Sequence, residues 1–91
     1  IRIYENQNTH EIRLYPVPTR DVLTANILQD EQEDMTFEIC NSLGKIIRTW
    51  NVKKEQKNEL ISTQNLGAGL YFIRTKFLQS NQIRVKKFTV E

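Results

Sequence analysis

Short apolar stretches that alternate at a period of two, with turn signals recurring about every 8–12 residues, leave this chain few ways to fold. Met35 to Cys40 carries the pattern most cleanly: Phe37 and Ile39 fall on one side, and Thr36, Glu38 and Cys40 on the other. In an extended chain successive side chains point to opposite faces, so this alternation predicts a half-buried strand. Asn41-Ser42-Leu43-Gly44 supplies turn chemistry, with Gly44 free to take positive φ. Lys45 to Val52 then returns as a strand through Ile46, Ile47, Trp50 and Val52, which predicts a hairpin over Phe37 to Val52.

Other segments follow the same logic. Val22 to Leu28 brings Val22, Leu23, Ile27 and Leu28, and Glu59 to Ser62 brings Leu60 and Ile61. Along Leu70 to Phe77, the side chains of Tyr71, Ile73, Thr75 and Phe77 share one face. Ile83 to Val90 places Ile83 and Val85 on one face, after which a bulge at Lys86-Lys87 is expected to turn Phe88 and Val90 inward. Ile12 to Tyr15 leads into Pro16-Val17-Pro18, and prolines without N–H groups belong to an edge. Ile1 to Tyr4 reads as a short first strand, and Glu5 to Glu11 as a polar connector. No segment keeps a helical period for three turns.

About seven antiparallel strands without a helix predict an all-β, immunoglobulin-like β-sandwich. The 91 residues make one domain over 12–91, preceded by a linker over 1–11 from an upstream region. A chain of this size buries roughly 60% of its unfolded surface, enough for one thin core and no deep pocket for a small-molecule substrate. The first residue is Ile1, with no initiator Met and no signal peptide, so the chain reads as a piece of a longer protein whose export signal lies upstream.

The residue inventory argues against chemistry. There is one His, His10, and one Cys, Cys40, so neither a nucleophile–base pair nor a metal-spaced cluster is in sight. No enzyme activity, metal or cofactor is expected. The acids Asp30, Glu31, Glu33 and Asp34 have no Gly among them to wrap a cation and read as a solvated loop. A net charge of +2 is too small to argue for nucleic acid. Trp50 reads as core filling, with a sugar-stacking platform as the sharper alternative. Leu66-Gly67-Ala68-Gly69-Leu70-Tyr71 predicts a tyrosine corner, in which a Tyr at the start of a late strand bonds backbone a few residues upstream. The C-terminal third carries Arg74, Lys76, Arg84, Lys86 and Lys87 with no acid from Leu60 to Val90. That stretch is either a solvated face or a stripe for an acidic partner.

Four blocks together resemble one family. Leu14-Tyr15-Pro16-Val17-Pro18-Thr19 through Val22-Leu23 is similar to its opening Tyr-Pro-Asn-Pro, with Val17 where the family usually has Asn. The turn at Leu43-Gly44-Lys45 resembles that of its central hairpin, and Leu66 to Tyr71 its Leu-x-x-Gly-x-Tyr corner. Lys86-Lys87-Phe88-Thr89-Val90-Glu91 resembles its ending. The family is the C-terminal sorting domain of type IX secretion.

The resemblance implies a C-terminal signal that directs its cargo through the type IX outer-membrane translocon. Shuttle proteins and a sortase-like cysteine peptidase are the implied partners. The cargo passes through the periplasm to the cell surface or the medium, and the peptidase removes the domain in or beside Glu5 to Glu11. The structural signature falls on Tyr15, Pro16, Pro18, Leu43, Gly44 and Tyr71. The surface expected to be read by the translocon comprises Gly67, Gly69, Lys86, Lys87, Phe88 and Val90. Exposed edge strands make strand addition, or a homodimer, a further expectation. The rival reading is an immunoglobulin- or fibronectin-like module that binds sugar or protein.

Overall fold

The computed structural model describes residues 9–91. The strands are β1 (His10–Tyr15), β2 (Val22–Gln29), β3 (Met35–Asn41), β4 (Ile46–Val52), β5 (Asn58–Ser62), β6 (Gly69–Phe77) and β7 (Ile83–Val90). They form two sheets, ordered β1-β2-β5 and β4-β3-β6-β7, antiparallel throughout. In the constant-type immunoglobulin arrangement the fourth strand joins the first sheet; here it stays hairpinned to β3 in the second. The expected strand at Ile1 to Tyr4 lies outside the described residues. β1 begins at His10, so the last two residues given to the connector are strand.

The core lies between the two sheets. Ile12, Leu23, Ala25, Ile27 and Ile61 of one sheet face Met35, Phe37, Ile39, Val52, Ile73, Phe77, Phe88 and Val90 of the other. Burying each such aliphatic or aromatic side chain contributes roughly 1.5–3 kcal/mol against the entropy of ordering the chain. Trp50 is half-buried against this cluster, its ring tilted on Phe37 and its indole N–H donating to Glu59 at 2.9 Å. It packs on the core and, through that bond, links the two sheets.

Two register findings correct the sequence expectations. The β6–β7 ladder runs from Gly69↔Val90 to Lys76↔Ile83 without a shift, so no bulge exists at the lysine pair. Strand alternation alone then decides the faces. Arg84, Lys86, Phe88 and Val90 share the inner side, and Ile83, Val85, Lys87 and Thr89 the outer side, leaving Ile83 and Val85 exposed. The irregularity sits in the β3–β4 ladder, where Ile39 pairs with Arg48 but Cys40 pairs with Ile46. Ile47 is the extra residue, and Ile46 and Ile47 are both exposed.

The acidic run is not wholly solvated. Glu33 is buried, and its carboxylate ties three elements together. One oxygen accepts the backbone N–H groups of Gln79 and Ser80, each at 2.8 Å, and the other meets His10 Nε2 at 2.6 Å. Burial pushes the Glu33 carboxyl up, but hydrogen bonds from Ser80, Gln79 and His10 outweigh it and hold it below the ordinary carboxylate range. His10 is buried beside it, edge-on to the Phe77 ring at 4.5 Å. Neighbouring Asp30 accepts the Thr9 N–H through its side chain and donates its own N–H to the Thr9 carbonyl.

Candidate functional site: the pole where β7 ends

Strand direction sorts the loops between two poles. At one side of the sandwich, Arg84 Nε donates to the His10 carbonyl at 2.7 Å, joining the starts of β7 and β1. At the other end of the same pair of strands, Thr19 makes a parallel bridge to Val90. β1 and β7 therefore run in the same direction, and every remaining strand is fixed by antiparallel pairing. The upstream chain joins at Thr9, in the pole that also holds the acidic loop and the β6–β7 turn. The opposite pole gathers the Pro16–Pro18 segment, the β3–β4 turn, the corner before β6 and the end of β7. Four blocks separated by tens of residues in sequence thus converge.

Each block has a physical reason for its shape. The prolines Pro16 and Pro18 are exposed, each preceded by a cis peptide bond, and carry the chain from the edge of one sheet to the edge of the other. Thr19 arrives there buried, donates its N–H to the Thr89 carbonyl and accepts from the Glu91 N–H, both at 2.9 Å. Its hydroxyl donates to the Val22 carbonyl, so one residue clasps both the last strand and the start of β2. In the β3–β4 turn, Asn41 Oδ1 accepts the N–H groups of Leu43 and Lys45 at 3.0 and 2.9 Å. That side chain stands in for a backbone turn partner and leaves Leu43 92% exposed at the tip. Gly44 sits at φ +86°, a conformation that L side chains resist.

The corner before β6 is the expected one. The Tyr71 hydroxyl donates to the Gly67 carbonyl at 2.7 Å, and the Tyr71 ring stacks on Phe88 with centroids 5.6 Å apart. Thr63 anchors the corner to the turn before β2: its N–H donates to the Asp21 carbonyl and its hydroxyl to the Arg20 carbonyl. Gly69, at φ +148°, opens β6 opposite Val90.

The residues expected to be read by a receptor divide in two. Gly67, Gly69, Lys86 and Lys87 are exposed, as are Tyr15, Pro16, Pro18, Leu43 and Gly44. Phe88 is fully buried and Val90 5% exposed, so in the folded domain they hold the last strand down and present nothing to a partner. The sequence reading turned Phe88 and Val90 inward, as the structure has them; their burial is what sets them apart from the exposed residues expected to be read. Among the described residues, no carboxylate lies within ion-pair distance of Lys45, Lys86 or Lys87. Arg20 pairs with Glu91 at 3.1 Å, an exposed contact of small energetic weight. The sequence reading missed Thr19, whose role depends on a sheet-to-sheet crossing that local pattern does not encode.

Comparison with known proteins gives three results. No curated protein matches the chain. Among solved structures, the chain is similar to part of the crystal structure of dimeric latent PorU from Porphyromonas gingivalis, at TM-score 0.69 and 20% identity. The likeness covers 93% of this chain and 9% of that one, and at this identity it speaks for the fold. The family model of the secretion system C-terminal sorting domain matches residues 13–91. The chain belongs to that family, the C-terminal sorting signals of type IX secretion, whose cargo is exported to the cell surface or the medium.

Proposed function

We propose that the pole formed by the proline segment, the Leu43-Gly44-Lys45 turn, the Gly67–Gly69 corner and the end of β7 is the address that the type IX outer-membrane translocon and its shuttle proteins read. The carrying observation is the convergence of all four blocks at the pole opposite Thr9. A domain attached to cargo at one end leaves the other end free for a receptor. Lys45 at the turn and Lys86 and Lys87 along β7 are exposed, without a carboxylate partner among the described residues, and give this side of the domain a charge by which a receptor steers docking. Buried Phe88 and Val90 are supports that keep Lys86 and Lys87 in a rigid strand. The domain works as a signal and not as a catalyst.

A sortase-like cysteine peptidase then removes the domain in or beside the part of the Glu5 to Glu11 stretch that precedes Thr9, after transit through the periplasm. The buried His10 and the paired start of β1 support a cleavage point on the upstream side of Thr9. Backbone fixed in a ladder does not enter an extended protease cleft without local unfolding.

The test is a fusion of these residues to a periplasmic reporter in a host with the type IX machinery. Deleting Phe88 to Glu91 would remove core residues and the Thr19 clasp together, so loss of export there would report unfolding. Lys86→Ala with Lys87→Ala keeps the core and removes only exposed charge. Surface delivery of the parent fusion and periplasmic retention of the double variant is the expected result. Undiminished delivery of a folded double variant would overturn the role given to the lysines.

A further inference from the structure

We infer that the free edge of β7 around Val85 and Lys87 is a short strand-addition site for an extended segment of another protein that sets two adjacent acidic side chains beside an apolar one. The inference rests on the reading above that the closing strand is part of what the export machinery grips, and it names the chemistry of the grip.

The edge is defined by hydrogen bonds. Thr89 turns its carbonyl away from β6, because that carbonyl accepts from Thr19. The β6–β7 register holds through eight pairs, so Lys87, Val85 and Ile83 turn their N–H and C=O groups the same way. The top of this edge is closed by the Thr19 bridge. The bottom is closed by Arg84, whose guanidinium reaches the carbonyls of His10 and Ile83. Between them, no hydrogen bond among the described residues uses the outward groups of Val85 or Lys87. Two residues thus offer two donors and two acceptors in strand geometry, an incomplete ladder.

The side chains select the occupant. Val85 is 55% exposed on the outer side of the sheet, next to half-buried Phe72 and Arg74 across the ladder, and favours an apolar neighbour. Arg74 is already committed to Glu38 at 2.8 Å. Lys86 on one side and Lys87 on the other have no carboxylate partner among the described residues. A second copy of this edge fits badly. An antiparallel β7–β7 pair centred on Val85 sets Lys86 against Arg84, and one centred on Lys86 sets it against itself. Like charges directly opposite destabilise a strand pair. A strand with acids facing Lys86 and Lys87 and an apolar residue beside Val85 satisfies every group at once.

The test uses the 91-residue chain, labelled with nitrogen-15 and titrated with the capped hexapeptide Thr-Val-Glu-Glu-Val-Thr, whose paired acids fall on opposite faces as Lys86 and Lys87 do. The capped hexapeptide Thr-Val-Lys-Lys-Val-Thr is the control. Amide shifts centred on Val85 to Thr89 with the acidic peptide, absent with the basic one, are expected. Raising salt from about 0.05 to 0.5 M should weaken the binding at least about threefold, because exposed charges are screened. Val85→Pro removes an N–H that no ladder bond uses, so it should fold and lose the response. Lys86→Glu with Lys87→Glu should bind the basic peptide instead, which keeps the test open if the proline variant does not fold. No response to the acidic peptide, equal response to both peptides, or concentration-dependent shifts of the same amides without peptide would overturn the inference. Export is read separately with the reporter. Peptide binding at this edge together with full export of Val85→Pro would keep the strand-addition site and remove it from the address. Lost export without peptide binding would do the reverse.

Discussion

The Tyr71 hydroxyl sits 2.7 Å from the Gly67 carbonyl, four residues upstream, and the same ring lies stacked on Phe88 of the last strand. One side chain therefore couples the exposed corner to the buried end of β7. The hydroxyl closes the loop and the ring packs the strand. Removing only the hydroxyl, as in Tyr71→Phe, should cost about 1 kcal/mol, the usual net worth of one such bond. The urea midpoint should fall with its slope unchanged. An unaltered midpoint would show that the corner holds without it.

Phe88 is fully buried, and truncating it leaves a hole between the sheets. Phe88→Ala should cost about 3–5 kcal/mol, a large share of the stability of a domain this small. Exposed Lys87→Ala should stay within about 0.5 kcal/mol of the parent. Thermal unfolding of the two variants side by side checks both figures. The contrast matters for export assays, because Phe88 variants report folding where lysine variants test the proposed recognition.

Glu33 predicts how the domain responds to acid. Its folded carboxyl titrates below its unfolded value, so the unfolded state takes up the proton first as pH falls. The stabilisation is complete above the ordinary carboxylate range and is lost as pH drops through the depressed folded value. Glu33→Gln keeps an acceptor for the Gln79 and Ser80 N–H groups but removes the charge. It should lower stability near neutral pH by about 2 kcal/mol, the order of a charge-assisted bond, and flatten the acid limb of a stability–pH profile. A variant whose acid limb matches the parent would assign that limb to other carboxylates.

Gly44 has open space where a Cβ would stand, yet its φ of +86° disfavours any L side chain. Gly44→Ala should therefore cost about 1–2 kcal/mol from backbone strain alone. Gly44→Asn should cost less, because Asn tolerates this region by bonding its own backbone. Equal losses in the two variants, measured by denaturant unfolding, would point to something other than strain.

Much of the fold was legible because local chemistry and burial agree. Phe37 and Ile39 alternate with polar residues up to a turn closed by Asn41 and Gly44, so the β3–β4 hairpin needed no distant information. The β7 faces were misjudged for a physical reason: two apolar residues, Ile83 and Val85, lie on the outer side of an edge strand. Assuming that apolar means inward then demanded a bulge that the ladder does not contain. His10 and Glu33 were each read as solvated because each is polar in a polar run. Their burial depends on meeting one another and the Gln79–Ser80 backbone, partners remote in sequence. The site was legible as four separate blocks. Their meeting at one pole is a property of strand direction.

That direction has a bearing on how freely passengers can vary. β1 alone runs from one pole to the other, six residues or about 20 Å at strand rise. Whatever is fused ahead of Thr9 is attached that far from the proline segment and the corner, at the pole away from the proposed docking surface. Under that proposal, the handle and its load meet at opposite ends, and a change of load leaves the grip in place.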